Sequence, residues 1–379
     1  MTESAWSARL RRIVNPKPSQ NRQQVLVTLA SSLAAVVLAL GIAAIVLAVS
    51  GENAGSLFTT MWDNIRDNHK LLDALERSTP LIISAIAVAI GFKMNLFNIG
   101  VEGQFLIGVF FAGWFGPKMN LPAPLHVAII LLVAMTSAAL WAAIPAILQV
   151  KRGVNEVIAT IMLNQLALNV IDFLFSEYAR FTKPGGSLDV KSKPIPESGW
   201  MPDLVENRLN SVFIVALVVA VIYWLVVFKS RFGFRLRASG LNAGAARTGG
   251  IASGRMVIAS MIISGAIAGL IGMTYLLGDS HAYGPSRPDG YGFDGIAVAL
   301  LGRNHPVGIV GSAMLFGFLD TLTGPLQLDK VPQSIVIVIK AIILLSVVIV
   351  NEMVSVKVNR RTADRTAAQL AASTSEAAA

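Results

Sequence analysis

Asn98, Glu102 and Gln104 lie close together in the string Phe97-Asn98-Ile99-Gly100-Val101-Glu102-Gly103-Gln104, between two apolar runs. Polar groups at membrane depth are expensive, so such a set faces a cavity or a partner. The chemistry on offer is hydrogen bonding to hydroxyls or ring nitrogens. Gly100 and Gly103 permit close backbone approach or a break in a helix. The competing reading is an inner turn whose polar residues face water. Asn95, Asn98 and Glu102 fall at i, i+3 and i+7, so a continuous helix here presents them together. Downstream, Gln165, Asn169 and Asp172 share one helical face, with Thr160 and Asn164 as a second polar pair. These residues either line a pore or bond neighbouring helices. Phe97, Phe105, Phe110 and Phe111 either stack on a planar solute or pack in lipid.

Catalysis has little to work with. There is no Gly-x-x-x-x-Gly-Lys-Ser/Thr loop, no His-Glu-x-x-His and no Ser/His/Asp set. His69, His126, His281 and His305 are scattered, and the absence of cysteine removes thiolate metal sites and thiol catalysis. No metal or cofactor is expected, and active transport must draw its energy from a partner or an ion gradient.

The elements that position these residues are apolar. The 379 residues are 54% hydrophobic and 14% charged. That is too little charge to cover a soluble surface of this size. Runs of about 18 apolar residues span lipid as helices, because backbone groups there must bond internally. The pattern predicts an all-α, polytopic membrane helix bundle of about ten spans, with broken or re-entrant helices. Spans are expected near 25–49, 79–94, 99–116, 124–149, 155–176, 211–228, 256–278, 306–323 and 333–350. Residues 294–302 are apolar but too short for a simple crossing. Trp62, Ile65, Leu71, Leu72 and Leu75 suggest a short amphipathic surface helix within 51–78. The first run is too long for a signal peptide and lacks a small-residue cleavage pattern, so it reads as a retained span.

Charge orients the bundle. Of 31 Lys and Arg, 19 fall in segments assigned to the cytoplasm, 11 outside, and Lys340 within a span. The net charge of +9 is therefore read as positive-inside bias, not as nucleic-acid binding. Residues 1–24 form a cytoplasmic tail, 25–350 the transmembrane domain and 351–379 a flexible cytoplasmic tail, with 177–210 outside. Lys340 either snorkels or pairs with Asp172 or Asp320. Gly265 and Gly269, with Ser260 and Ser264, read as a close helix-packing face. The loop 229–255 carries six basic residues and no acid, and Ala243–Arg247 within it favours a short helix able to seat in a groove of a cytoplasmic partner.

Three strings carry a family resemblance: Phe97–Gln104, Gly153–Asn164, and Arg237-Ala238-Ser239-Gly240-Leu241-Asn242-Ala243-Gly244-Ala245-Ala246. Over about 71–350 they resemble, in order, the nucleoside-type branch of the branched-chain amino acid and simple-sugar ABC permeases. The resemblance implies the permease subunit of an ATP-driven importer for nucleosides, purines first, in the bacterial cytoplasmic membrane. Simple sugars or branched-chain amino acids are the alternative cargo, and an ion-coupled secondary transporter is the alternative class. It further implies a cytoplasmic ATP-binding subunit, a second permease subunit in a heterodimer, and a substrate-binding lipoprotein or periplasmic protein. The expected substrate pathway is Asn95, Asn98, Glu102, Gln104, Asn164 and Gln165. The expected ATPase-coupling residues are Arg237, Gly240, Asn242, Ala245 and Ala246.

Overall fold

The computed structural model describes residues 65–181 and 190–323 continuously, with scattered positions between 41 and 63 and between 337 and 349. Both tails and most of the expected first and last spans lie outside the described residues. The chain divides into two units, Met1–Phe58 with Leu326–Ala379, and Thr59–Pro325. Lys340 is a half-buried position of the first. All elements below belong to the second.

The helix α1, Asn68–Lys93, is the hub of this unit, packing against most of the other long helices. Asp67 caps it. The Asp67 carboxylate accepts from the His69 amide at 2.8 Å. Every residue from Ser78 to Gly91 is buried, as befits a helix with no polar face in this stretch. Its start differs from expectation. Leu71, Leu72 and Leu75 ride on its first turns instead of forming a separate surface helix, although Trp62 and Ile65 are exposed. Pro80 suits a helix start, which favours a boundary near 79, yet it sits inside α1. A proline there interrupts the backbone ladder. The Ser78 and Thr79 hydroxyls donate to the Leu75 carbonyl beside it, at 2.7 and 3.1 Å.

Helix α1 ends in a Schellman turn. Leu96 N donates to Gly91 O, Asn95 N donates to Phe92 O, and Asn95 has a positive φ of 59°. Asn tolerates this left-handed backbone because its short side chain bonds locally. The expected continuous helix through Asn95, Asn98 and Glu102 therefore does not form, and Asn95 is exposed at the turn.

Helix α2, Val101–Phe115, is buried along 12 of its 15 residues. The long α3, Ala123–Arg152, stops at Gly153, whose positive φ suits a glycine cap. Helix α4, Glu156–Leu174, is capped by Asn155 and runs on as a π turn over Phe175–Ala179. Two short antiparallel ladders follow, β1 Arg180–Phe181 with β2 Lys191–Ser192, and β3 Asp203–Val205 with β4 Leu209–Asn210. Next come α5, Val212–Trp224, with a π turn Leu225–Lys229, then α6, Arg231–Leu241, and α7, Ala243–Thr248. Helix α8, Ser253–Ala268, breaks at Gly269 and resumes as a π turn over Thr274–Asp279, so the segment expected as a span at 256–278 contains a break. Helices α9, Tyr291–Leu301, and α10, Pro306–Thr321, complete the unit.

Among the described residues, Asn68–Lys93, Ala123–Arg152, Glu156–Ala179 and Val212–Lys229 are long and apolar enough to cross a membrane. The short helix α9 rises about 16 Å, roughly half a hydrocarbon core, and cannot cross alone. Helix α3 buries Ile130, Ala134, Ala138, Ala142 and Ala146 at four-residue spacing and leaves Leu132 and Leu140 exposed. Its alanine stripe receives the α8 glycines, as small residues let helices approach closely. A Cβ on Gly265 would collide with the Ala142 Cβ, and one on Gly269 with the Ala134 carbonyl.

Candidate functional site

The sequence string 97–104 folds into a buried knot. Asn98 Nδ2 donates to Gln104 Oε1 at 3.1 Å and to Ser264 Oγ at 2.9 Å. Gln104 Nε2 donates back to Asn98 Oδ1 at 3.1 Å, which also accepts from Gly100 N. Ser264 Oγ donates to the Ala87 carbonyl of α1 at 2.7 Å. Asn98 and Gln104 are each 1% exposed. A polar network this dry is tolerable because its members satisfy one another.

Two further ties join the knot. Glu102 accepts from Gly290 N through Oε1 and from Gly292 N through Oε2, both at 2.7 Å. A carboxylate thereby takes the unpaired amides at the start of α9, where the helix dipole favours negative charge. Gly292 is packed so closely that a Cβ would lie 2.5 Å from Glu102 N. Asn164 of α4 accepts from Gly103 N in the first turn of α2, and donates to the Ile99 carbonyl, each at 2.9 Å. Helices α1, α2, α4, α8 and α9 thus converge on one segment. Of the readings open for the string, these burials match side chains that face partners within the protein and not a turn whose polar residues face water.

Helix α4 carries the opposite arrangement. Gln165, Asn169 and Asp172 are exposed on one face, beside exposed Ile161, Met162, Leu166 and Phe173. Asn169 Nδ2 donates to the Gln165 carbonyl at 3.0 Å. Of the six expected pathway residues, Asn98, Glu102, Gln104 and Asn164 are drawn into the knot, while Asn95 and Gln165 are exposed.

The basic loop becomes two helices, each capped by a side-chain oxygen. Ser230 Oγ accepts from Gly233 N at α6, and Asn242 Oδ1 accepts from Ala245 N at α7, both at 3.0 Å. Arg237 donates to the Val227 carbonyl at 2.8 Å. Its guanidinium lies 5.5 Å over the Phe228 ring, which Lys93 also approaches. Both are cation–π contacts. Gly240 rests on the end of α1, where a Cβ would meet the Lys93 carbonyl at 2.6 Å. Ala246 is buried; Ala245 and the rest of α7 are exposed, with Phe234 63% and Leu241 89% exposed beside them. Arg237 and Gly240 anchor the segment, and α7 presents an open face. The expected helix at Ala243–Arg247 forms as Ala243–Thr248.

A cavity of about 1190 Å³ opens between the first turns of α1, the 197–210 segment and the 274–291 stretch. Asp73 pairs with Arg208 at 3.0 Å, and Glu76 accepts from Asn210 N at 2.8 Å. The Trp200 and His281 rings stack at 3.8 Å and 10°. Burial pushes the His281 imidazole below its ordinary range; Asp203 and the Leu277 backbone oppose that shift.

Sequence reasoning missed Ser264, Gly290 and Gly292. Ser264 reads from sequence as part of a packing face, which it is, but it is also the polar link to α1. The glycine-rich stretch 278–292 was the available signal for the other two.

A family model described as the permease component of branched-chain amino acid transport systems matches residues 70–348. The guanosine ABC transporter permease protein NupP of Bacillus subtilis (strain 168) is 39% identical over 83% of this chain and 91% of its own length. The nucleoside ABC transporter permease protein NupB of Lactococcus lactis subsp. cremoris (strain MG1363) is 35% identical over 72% of this chain and 77% of its own. A glucose ABC transporter permease protein of Haloferax volcanii is 31% identical over 73% and 75%.

Proposed function

Since the chain belongs to the family of branched-chain amino acid transport system permease components, we propose that it is the membrane permease subunit of an ABC importer that carries nucleosides into the cell, purine nucleosides foremost. The observation that carries this reading is the 39% identity to a guanosine permease over nearly the whole of that protein. The chain is a transport subunit, and ATP is hydrolysed by a cytoplasmic partner seated on the open face of α7. Arg237, Gly240, Asn242, Ala245 and Ala246 transmit that contact, since Gly240 bears directly on the end of α1. Both tails and α6–α7 are cytoplasmic, as the basic bias of these segments favours.

The solute path runs along the exposed polar face of α4. Gln165, Asn169 and Asp172 on a helix of membrane-spanning length need water or protein against them, not lipid. A second permease subunit supplies the opposing wall, and a substrate-binding protein delivers the solute from outside. Asn95 stands at the turn between α1 and the knot, and the knot formed around Asn98, Glu102 and Gln104 holds α4 in place through Asn164. A neutral solute suits such groups, because a fixed charge calls for a buried counter-charge.

A simple sugar is the second reading, favoured by the likeness to the glucose permease. Competition decides between them. Cells expressing the importer are expected to take up labelled guanosine and not labelled ribose, glucose or leucine, and excess adenosine or guanosine is expected to suppress that importer-dependent uptake while ribose, glucose and leucine do not. Importer-dependent uptake of labelled ribose or glucose that neither nucleoside suppresses, with no uptake of labelled guanosine, would refute the nucleoside assignment.

A further inference from the structure

The 1190 Å³ cavity belongs to neither the knot nor the α4 face. Its lining includes Tyr291 of α9, Gly272 and Thr274 at the break in α8, and Trp200, Asp203 and Asp279. We propose that this cavity is a solute site within a single subunit, taking a nucleoside with its base against Trp200 and its ribose hydroxyls on the carboxylates. The proposal rests on the nucleoside reading above and adds where one subunit holds the solute.

Three features of the lining support it. First, the walls offer flat faces. Trp200 is fixed by its Nε1 donating to the Ile195 carbonyl at 2.9 Å and by the stacked His281, and Tyr275 and Tyr291 face the same space. Aromatic platforms of this kind stack on any nucleobase. Second, the lining has a polar atom to spare. Thr274 is 8% exposed and its Oγ1 has no partner. A buried polar atom without a partner marks a place where a ligand or water completes the bonding. Third, the charge selects against phosphate. Asp73, Glu76, Glu197, Asp203 and Asp279 outnumber Arg77 and Arg208 in the lining. An anionic nucleotide is therefore repelled while a neutral nucleoside is admitted. Asp73 is paired with Arg208 and Glu76 accepts from Asn210 N, so the ribose hydroxyls are assigned to Glu197, Asp203 and Asp279.

The test uses the assembled permease–ATPase complex in lipid nanodiscs, without the binding protein, and equilibrium binding of labelled guanosine. Saturable binding is expected, displaced by adenosine and not by guanosine monophosphate. Trp200→Leu should weaken it about ten-fold, in line with the loss of a stacking platform, and Trp200→Phe should restore most of it. Thr274→Val, which keeps the shape and removes only an unpartnered hydroxyl, should weaken it about three-fold with thermal unfolding unchanged. Unchanged guanosine affinity in Trp200→Leu and Thr274→Val, or equal displacement by the monophosphate, overturns the site. If cells still take up guanosine in that case, only this proposal falls. If wild-type complex binds no nucleoside and cells take none up, the nucleoside reading falls with it.

Discussion

The knot around Asn98 and the outer face of α4 use the same residue types to opposite ends. In the knot, Asn98 and Gln104 bond to each other, Asn98 also bonds to Ser264, and Glu102 and Asn164 bond to backbone amides and carbonyls, with Asn98 and Gln104 almost without solvent. On α4, Gln165, Asn169 and Asp172 are exposed. Residue type alone therefore does not mark a solute path in an apolar chain. What separates the two regions is whether the polar groups already have protein partners. A satisfied network fixes the relative positions of five helices; an exposed stripe must find its partners elsewhere.

The sharpest way to break this contrast is at Gly292. A Cβ there collides with the Glu102 backbone. Gly292→Ala should therefore cost about 3 kcal/mol, at the upper end for overpacking. Thermal unfolding in detergent should show a large drop, and a change within experimental error would deny that α9 is pinned to α2. Next comes Asn98→Ala, which leaves Gln104 and Ser264 short of partners and should cost about 2 kcal/mol. A double-mutant cycle with Gln104→Ala should show strong coupling, whereas additive effects would mean the two side chains act separately.

Asn242→Ala removes the α7 cap and should cost about 1 kcal/mol locally. Its larger consequence should be weakened assembly with the ATPase, and Arg237→Glu should act the same way; full transport in the charge-reversed variant would remove the coupling role. Smallest in stability is Gln165→Ala, expected within about 0.5 kcal/mol of wild type because its side chain is exposed. Uptake should nevertheless fall. A variant that is both as stable and as active as wild type would mean that α4 faces lipid.

Much of this fold is legible in the sequence because it follows from local rules. Apolar runs give α3, α5 and α10, Gly153 ends α3, and the alanine-rich stretch with Asn242 before it gives α7. The shortness of 294–302 correctly marks a helix that cannot cross alone. What resisted reading was either ambiguous locally or remote in sequence. Pro80 fits a helix start as well as a bend, so the true start of α1 at Asn68 was hidden. Asn95 counts as a polar helix residue in a spacing argument but serves as a left-handed stop. Glu102 finds its partners 188 and 190 residues downstream, at Gly290 and Gly292, and no periodicity within 97–104 encodes that.

The measurement that bears most directly on the whole account is initial-rate uptake of labelled guanosine in a strain deleted for this chain. Uptake should be lost in the deletion, return with the wild-type gene, fail to return with Arg237→Glu, and return only in part with Gln165→Ala while the Gln165→Ala protein still accumulates in the membrane. Undiminished purine-nucleoside uptake in the deletion strain, with loss of sugar or branched-chain amino acid uptake instead, would contradict the account.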